Sequence, residues 1–210
     1  MDQLAREFDG TFSPATIRRF VDESHDLVAR FLTPVTARGV SPRVRGLTRR
    51  FASERLGALA RADRLVPRPV PEVLFICVQN AGRSQMAAAL LDRYAGGRAV
   101  AHSAGSAPGA EIHPAVAVAM AEIGIDLADA FPKPLTDEAV RAADIVVTMG
   151  CGDSCPVLPG KCYHDWRLDD PAEGGLDQAR QVRDEVDRRV QELWAIIVSH
   201  PTFPDGRPNL

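Results

Sequence analysis

Val73-Leu74-Phe75-Ile76-Cys77-Val78-Gln79-Asn80-Ala81-Gly82-Arg83-Ser84 decides how this chain folds. An apolar run ends in a cysteine, a turn of small and polar residues follows, and an arginine opens a stretch of strong helix formers. From Ser84 to Leu91 no breaker interrupts that stretch, and the first glycine comes at Gly96. This spacing predicts a strand, a tight turn and a helix over 83–95. The turn then delivers Cys77 to the positive end of the helix dipole, where a thiolate is favoured at neutral pH. Ala81 and Gly82 are small enough for the backbone N–H groups of Val78, Gln79, Asn80, Ala81, Gly82, Arg83 and Ser84 to converge. Arg83 supplies a planar, two-pronged donor for a tetrahedral oxyanion, and the Ser84 hydroxyl can donate to the sulfur or orient the loop. Asn80 tolerates left-handed backbone and suits a loop that curls its amides inward. Phosphate and arsenate both fit such a cradle.

The bland reading makes Cys77 a core cysteine ending a strand and Arg83 a solvated residue at a helix start. The strand before and the helix after are the context that favours the oxyanion trap.

Working outward, the 210 residues hold 45% hydrophobic and 25% charged side chains, the balance of a globular protein with a sizeable core. No apolar run approaches a membrane span and the N-terminus lacks a signal-peptide core, so the cytoplasm is the expected location and no membrane partner is expected. The four cysteines, Cys77, Cys151, Cys155 and Cys162, are too clustered for a secreted disulfide scaffold and read as catalytic, redox or metal-binding groups. The net charge of −3 hides an asymmetry: residues 1–70 carry 13 Arg, no Lys and 8 acids. The character changes at Val66-Pro67-Arg68-Pro69-Val70-Pro71, a semi-rigid linker by composition.

The expected organisation is therefore a helical bundle over 1–66, a linker over 67–71, a catalytic domain over 72–198 and a loose tail over 199–210. Ser13-Pro14 and Ser41-Pro42 each announce a long helix, and a weaker one precedes them near 2–9. A bundle this small should pack on the rest of the chain or on a second copy as a homodimer. Its arginines also raise the reading of a nucleic-acid arm, but a basic face without a reading motif is ordinarily just solvated, so no nucleic acid is expected. Beyond the linker, β-rich runs at 72–77, 98–103, 144–149 and 161–166 alternate with helices at 83–95, 114–123 and 177–198. That alternation predicts a parallel sheet flanked by helices, with ligands outside the carboxyl ends of the strands.

A second cluster follows the third predicted strand: Met149-Gly150-Cys151-Gly152-Asp153-Ser154-Cys155-Pro156. A thiolate that captures an oxidising oxyanion needs a further thiol to complete a two-electron reduction, and Cys151 and Cys155 lie on a loop free enough to supply one. Two competing readings are a zinc site built from Cys151, Cys155, Cys162 and His164, whose intervals are not the usual ones, and plain structural cysteines, the role assigned to Cys162. Asp170, with Asp169 as runner-up, is positioned to protonate the oxygen that departs when sulfur attacks; the alternative is a turn carboxylate. His102 and His113 read as structural.

These motifs, with Ser103-Ala104-Gly105, Gly124-Ile125-Asp126, Pro132-Lys133, Val147-Thr148-Met149 and Trp166-Arg167-Leu168-Asp169-Asp170-Pro171-Ala172, resemble the arsenate reductases built on the low-molecular-weight tyrosine phosphatase fold. The resemblance covers 72 to about 197, and similar helical extensions precede some actinobacterial members. It implies an α/β fold with a four-stranded parallel sheet and the reduction of arsenate to arsenite for detoxification. Cys77 would attack arsenate held by Arg83 and the loop amides while Asp170 aids loss of water. Cys151 would attack Cys77 to release arsenite, and Cys155 would attack Cys151 to present a disulfide to thioredoxin. The loop is also similar to that of actinobacterial enzymes coupled to mycothiol and mycoredoxin. No tightly bound cofactor or metal is implied, and Ala88 stands where some members carry a potassium-holding glutamate.

Three classes of function follow: a thiol-dependent arsenate reductase, a low-molecular-weight protein tyrosine phosphatase using the same Cys77, Arg83 and Asp170, and an oxyanion sensor. Cys151, Cys155 and Ala172, where the phosphatases commonly place an aromatic, favour the reductase.

Overall fold

The computed structural model describes residues 2–32, 41–150 and 156–199. Contacts divide the chain into two units: residues 1–68 with 136–142, and residues 69–135 with 143–210.

The second unit is built on β1 (Glu72–Cys77), which is buried at every position, as a continuous apolar run in a parallel sheet should be. It lies inside a four-stranded sheet of order β2-β1-β3-β4, with β2 at Val100–Gly105, β3 at Ile145–Met149 and β4 at Cys162–Asp165. Every pairing is parallel, so the expected sheet architecture is the one observed. Cys77 stands level with Gly105 on one side and Met149 on the other. The chain leaves β1 toward one edge and later returns to the opposite side of it, so the crevice at the carboxyl end of β1 is a topological switch point.

Strand β2 begins two residues later than the spacing predicts. Gly96 and Gly97 both adopt positive φ, and Arg98 N still bonds back to Ala95 O, so the chain is finishing the helix turn where a strand was expected.

Helices α4 (Arg83–Ala95), α5 (Pro114–Ala121) and α7 (Gly175–Ser199) cover the sheet. On α7 the buried residues Ala179, Val182, Val186, Val190, Leu193 and Ile197 recur at intervals of three and four, which is one face of a helix. They join Met86, Leu90, Leu91 and Met120 in one core, where Phe75 meets Trp166 at a tilted 5.8 Å centroid separation. No helix among the described residues is long and apolar enough to cross a membrane.

The first unit contains α1 (Asp2–Glu7), α2 (Pro14–Phe31) and α3 (Pro42–Ala62). Ser13 and Ser41 cap the two long helices by accepting from the N–H groups of Thr16 and Val44. Leu4, Phe8, Ile17, Phe20, Ala52 and Leu56 form its core. A short helix that periodicity did not reveal, α6 (Asp137–Ala142), belongs to this unit although it lies inside the segment expected to be catalytic. The physical reason is Arg55: buried at 8% exposure, it needs a partner, and Glu138 Oε1 of α6 accepts from its Nε at 2.5 Å. Glu23 Oε2 and Ser24 Oγ accept from its two other nitrogens at 3.0 and 3.2 Å. The guanidinium also lies 4.6 Å from the Phe20 ring centroid.

Candidate active site

The loop between β1 and α4 is held from outside by its carbonyl groups. Cys77 O, Val78 O, Gln79 O and Ala81 O accept from the backbone N–H groups of Ser106, Ala107, Gly109 and His113 at 2.9–3.2 Å. In a planar trans peptide the carbonyl and the following N–H point in opposite directions. Tying these carbonyls outward therefore turns the N–H groups of Val78, Gln79, Asn80 and Gly82 toward the side on which Cys77 Sγ lies. The Asn80 N–H, which donates to Cys77 Sγ at 3.2 Å, conforms to this rule. The close approach requires Gly105: a Cβ there would stand 2.7 Å from Val78 O and 3.0 Å from Asn80 N.

Asn80 is fully buried and has a φ of +50°, a left-handed conformation that asparagine tolerates better than most residues. Its side chain acts in both directions. Nδ2 donates to Ser84 Oγ at 2.8 Å, while Oδ1 accepts from Lys133 N at 2.9 Å and from Gln85 Nε2 at 3.0 Å. Ser84 Oγ accepts from Asn80 and lies 3.0 Å from Cys77 Sγ, so its proton is available to the sulfur when Cys77 is a thiolate. The sulfur of a buried Cys77 thus faces the Asn80 N–H of the loop and the Ser84 hydroxyl of the first turn of α4.

Cys77, Gln79, Ala81, Gly82, Arg83 and Asp170 line one cleft, together with His113, Pro171 and Ala172. Arg83 Nη2 donates to Asp170 Oδ2 at 3.3 Å and Nη1 donates to Leu168 O at 3.3 Å. Asp170 Oδ1 accepts from Ala172 N at 3.0 Å, so a turn holds the carboxyl in place. Asp169 is exposed and does not line the cleft. Gly82 lies against the same turn, since a Cβ there would meet Pro171 Cγ at 2.7 Å.

Cys77, Arg83, Asp170 and the loop residues 78–84 are therefore brought together. Cys151 and Cys155 lie outside the described residues; Gly150 itself stands beside the cleft, since a Cβ on it would lie 3.5 Å from Arg83 Nη1. Cys162 is exposed and free at the start of β4. Among the described residues no group of three His, Cys, Asp or Glu side chains is placed to hold a metal. His102 Nε2 lies 3.3 Å from the buried Glu72 Oε2, away from the cleft. His113, read from the sequence as structural, stands at the N-cap position of α5 without a side-chain capping bond and also lines the cleft. The role of Gln85 was not legible; its one signal was an amide side chain in the first turn of a helix, where it reaches back to the loop.

Two family models match the chain. Residues 72–200 match the low molecular weight phosphotyrosine protein phosphatases, and residues 1–60 match the protein-tyrosine-phosphatase-like N-terminal domain. A thioredoxin-dependent arsenate reductase of Corynebacterium glutamicum is 48% identical, with a TM-score of 0.82 over 95% of both chains. An arsenate reductase of Halalkalibacterium halodurans is 38% identical over 130 residues, which is 57% of this chain and 91% of that one. An arsenate reductase solved in its phosphate-binding state is 30% identical, with a TM-score of 0.55 over 61% of this chain and 99% of that one. With its N-terminal helices and its Cys77–Arg83 loop, the chain belongs to the low molecular weight phosphotyrosine protein phosphatase family.

Proposed function

We propose that this protein reduces arsenate to arsenite, with Cys77 as nucleophile. The observation that carries the reading is the cleft in which Cys77 Sγ, the Arg83 guanidinium and the Asp170 carboxyl meet beneath inward-turned amides. The similarity to the thioredoxin-dependent reductase over nearly the whole chain supports the oxidant chosen.

Arg83 and the loop amides hold the oxyanion and stabilise the charge that grows on it. The Cys77 thiolate attacks arsenic; a sulfur–arsenic bond forms and an arsenic–oxygen bond breaks, with Asp170 giving its proton to the departing oxygen. Cys151 then attacks Cys77 Sγ. A disulfide forms, and the electron pair of the sulfur–arsenic bond stays on arsenic, which leaves as arsenite. Cys155 attacks Cys151 in turn, freeing Cys77, and thioredoxin reduces the Cys151–Cys155 disulfide. Mycothiol with mycoredoxin is the alternative reductant. The mycothiol thiolate would displace Cys77 from arsenic to give a mycothiol–arsenate adduct. A mycoredoxin thiolate would then attack the sulfur of that adduct, forming a mixed disulfide and leaving the electron pair of the sulfur–arsenic bond on arsenic as arsenite; the loop cysteines would be dispensable. Cytoplasmic chemistry and the association of two copies through the N-terminal helices belong to this proposal.

The family match carries a second reading, hydrolysis of aryl phosphates through a phosphocysteine on Cys77. Arsenite production from arsenate separates them, run with thioredoxin and its reductase and with mycothiol and mycoredoxin, on wild type, Cys151→Ser and Cys155→Ser. Thioredoxin-coupled turnover that both substitutions abolish supports the relay. Turnover with mycothiol alone that survives both removes it. Aryl-phosphate hydrolysis with no arsenite under either system selects the phosphatase.

A further inference from the structure

Four of the five carbonyl groups from Cys77 to Ala81 are tied outward by backbone N–H groups of the 106–113 segment. The exception is Asn80 O, which accepts from a side chain: Gln85 Nε2, at 3.1 Å. The Asn80–Ala81 peptide is also the one that follows the left-handed residue of the loop. Its carbonyl direction decides whether the Ala81 N–H faces the cleft or turns away.

We infer that Gln85 is a positioning residue for oxyanion binding: its amide locks the Asn80–Ala81 peptide so that the Ala81 N–H points into the Cys77–Arg83 cradle. The side chain is built for this. It is only 6% exposed, and the two hydrogens of its NH2 group serve three acceptors, Asn80 O, Asn80 Oδ1 at 3.0 Å and Phe131 O at 3.0 Å, so that one N–H is shared. Phe131 precedes the Lys133 N–H that also holds Asn80 Oδ1, so one amide joins the loop to the 131–133 segment. That segment is itself anchored, since Gly105 N donates to Lys133 O at 2.9 Å. A hydrophobic residue at 85 leaves Asn80 O and Phe131 O without this donor. The simplest rescue for Asn80 O is a peptide flip, which withdraws the Ala81 N–H from the anion.

The inference rests on Cys77 and Arg83 forming an oxyanion site but not on arsenate being its substrate. The test is protection of Cys77 from iodoacetamide by inorganic phosphate, followed on the Cys77 peptide by mass spectrometry. Wild type, Gln85→Leu, Gln85→Met and Gln85→Glu are compared, each with its thermal melt. Met keeps the length and helix preference of glutamine, and Glu keeps its shape while losing the donor. The expected result is that the half-protecting phosphate concentration rises about tenfold in every folded variant, the effect of one lost hydrogen bond to an anion. It should rise most in Gln85→Glu, which adds a negative charge. Folded variants protected as well as wild type would overturn the role of Gln85 alone. A wild type that phosphate does not protect would overturn the oxyanion site and this role with it.

Discussion

Arg83 Nη2 donates to Asp170 Oδ2 across 3.3 Å, joining the cation of the β1–α4 loop to a carboxyl 87 residues further on. The guanidinium side chain is 11% exposed and the carboxyl 34%, so the pair sits at the mouth of the cleft rather than in free solvent. Asp170→Asn keeps the shape and the bond from Ala172 N but removes the acid. The expected outcome is a fall in kcat for arsenate of about 10²- to 10⁴-fold with a much smaller change in KM. Asp169→Asn, at an exposed position, should leave kcat within a few-fold; equal losses in the two variants would remove Asp170 as the acid.

Gly82 and Pro171 make the second contact that sets this turn. An added Cβ would lie 2.7 Å from Pro171 Cγ, and a proline ring cannot rotate away as a flexible side chain would. Gly82→Ala should therefore push the 170–172 turn outward, lowering kcat about tenfold to a hundredfold. Its stability cost should be about 1–3 kcal/mol, measured by urea unfolding. Unchanged kinetics would show that the turn yields without moving Asp170.

Arg55 anchors α6 to the N-terminal helices. Its removal in Arg55→Ala leaves Glu138, itself only 7% exposed, as an uncompensated buried charge. The expected loss in chemical unfolding is about 3–5 kcal/mol, and pairing Arg55→Met with Glu138→Gln should recover a good part of it. A double variant no better than the single would place the loss in packing against Phe20 and not in charge.

On α7, hydrogen bonds from Arg188 and then Arg189 hold the Glu185 carboxyl down at about 2, against an ordinary value of 4.5. A depressed folded-state value means that the contribution is present above the ordinary carboxylate range. It is lost as the pH falls from about 4.5 through about 2. Glu185→Gln should flatten the acid limb of the stability profile in that window. The effect should be small and weakened by salt, because the carboxylate is 37% exposed.

Much of the site was legible because it is local. The apolar run of β1, the small residues of the turn and the helix formers of α4 lie within about twenty residues, and short-range sterics and propensity suffice to place Cys77 at a strand end and Arg83 at the start of a helix. The alternation of β-rich and helical stretches pointed to the parallel sheet on the same ground. Boundaries slipped where a local signal was overridden: Gly96 and Gly97 prolong the helix turn and delay β2. Helix α6 escaped notice because six residues are too few to show a period.

The sequence by itself determined the nucleophile loop and its carboxyl-edge placement, since both follow from residues adjacent in the chain. Only the tertiary structure placed the Asp170 carboxyl on Arg83 in the cleft and left Asp169 outside it, drew Glu138 to Arg55, and joined Asn80 and Gln85 to the backbone near 131–133. Each of these is a contact between groups tens of residues apart. They are selected by the need of a buried charge or carbonyl for a partner, a demand that no local propensity expresses until the sheet has closed around it.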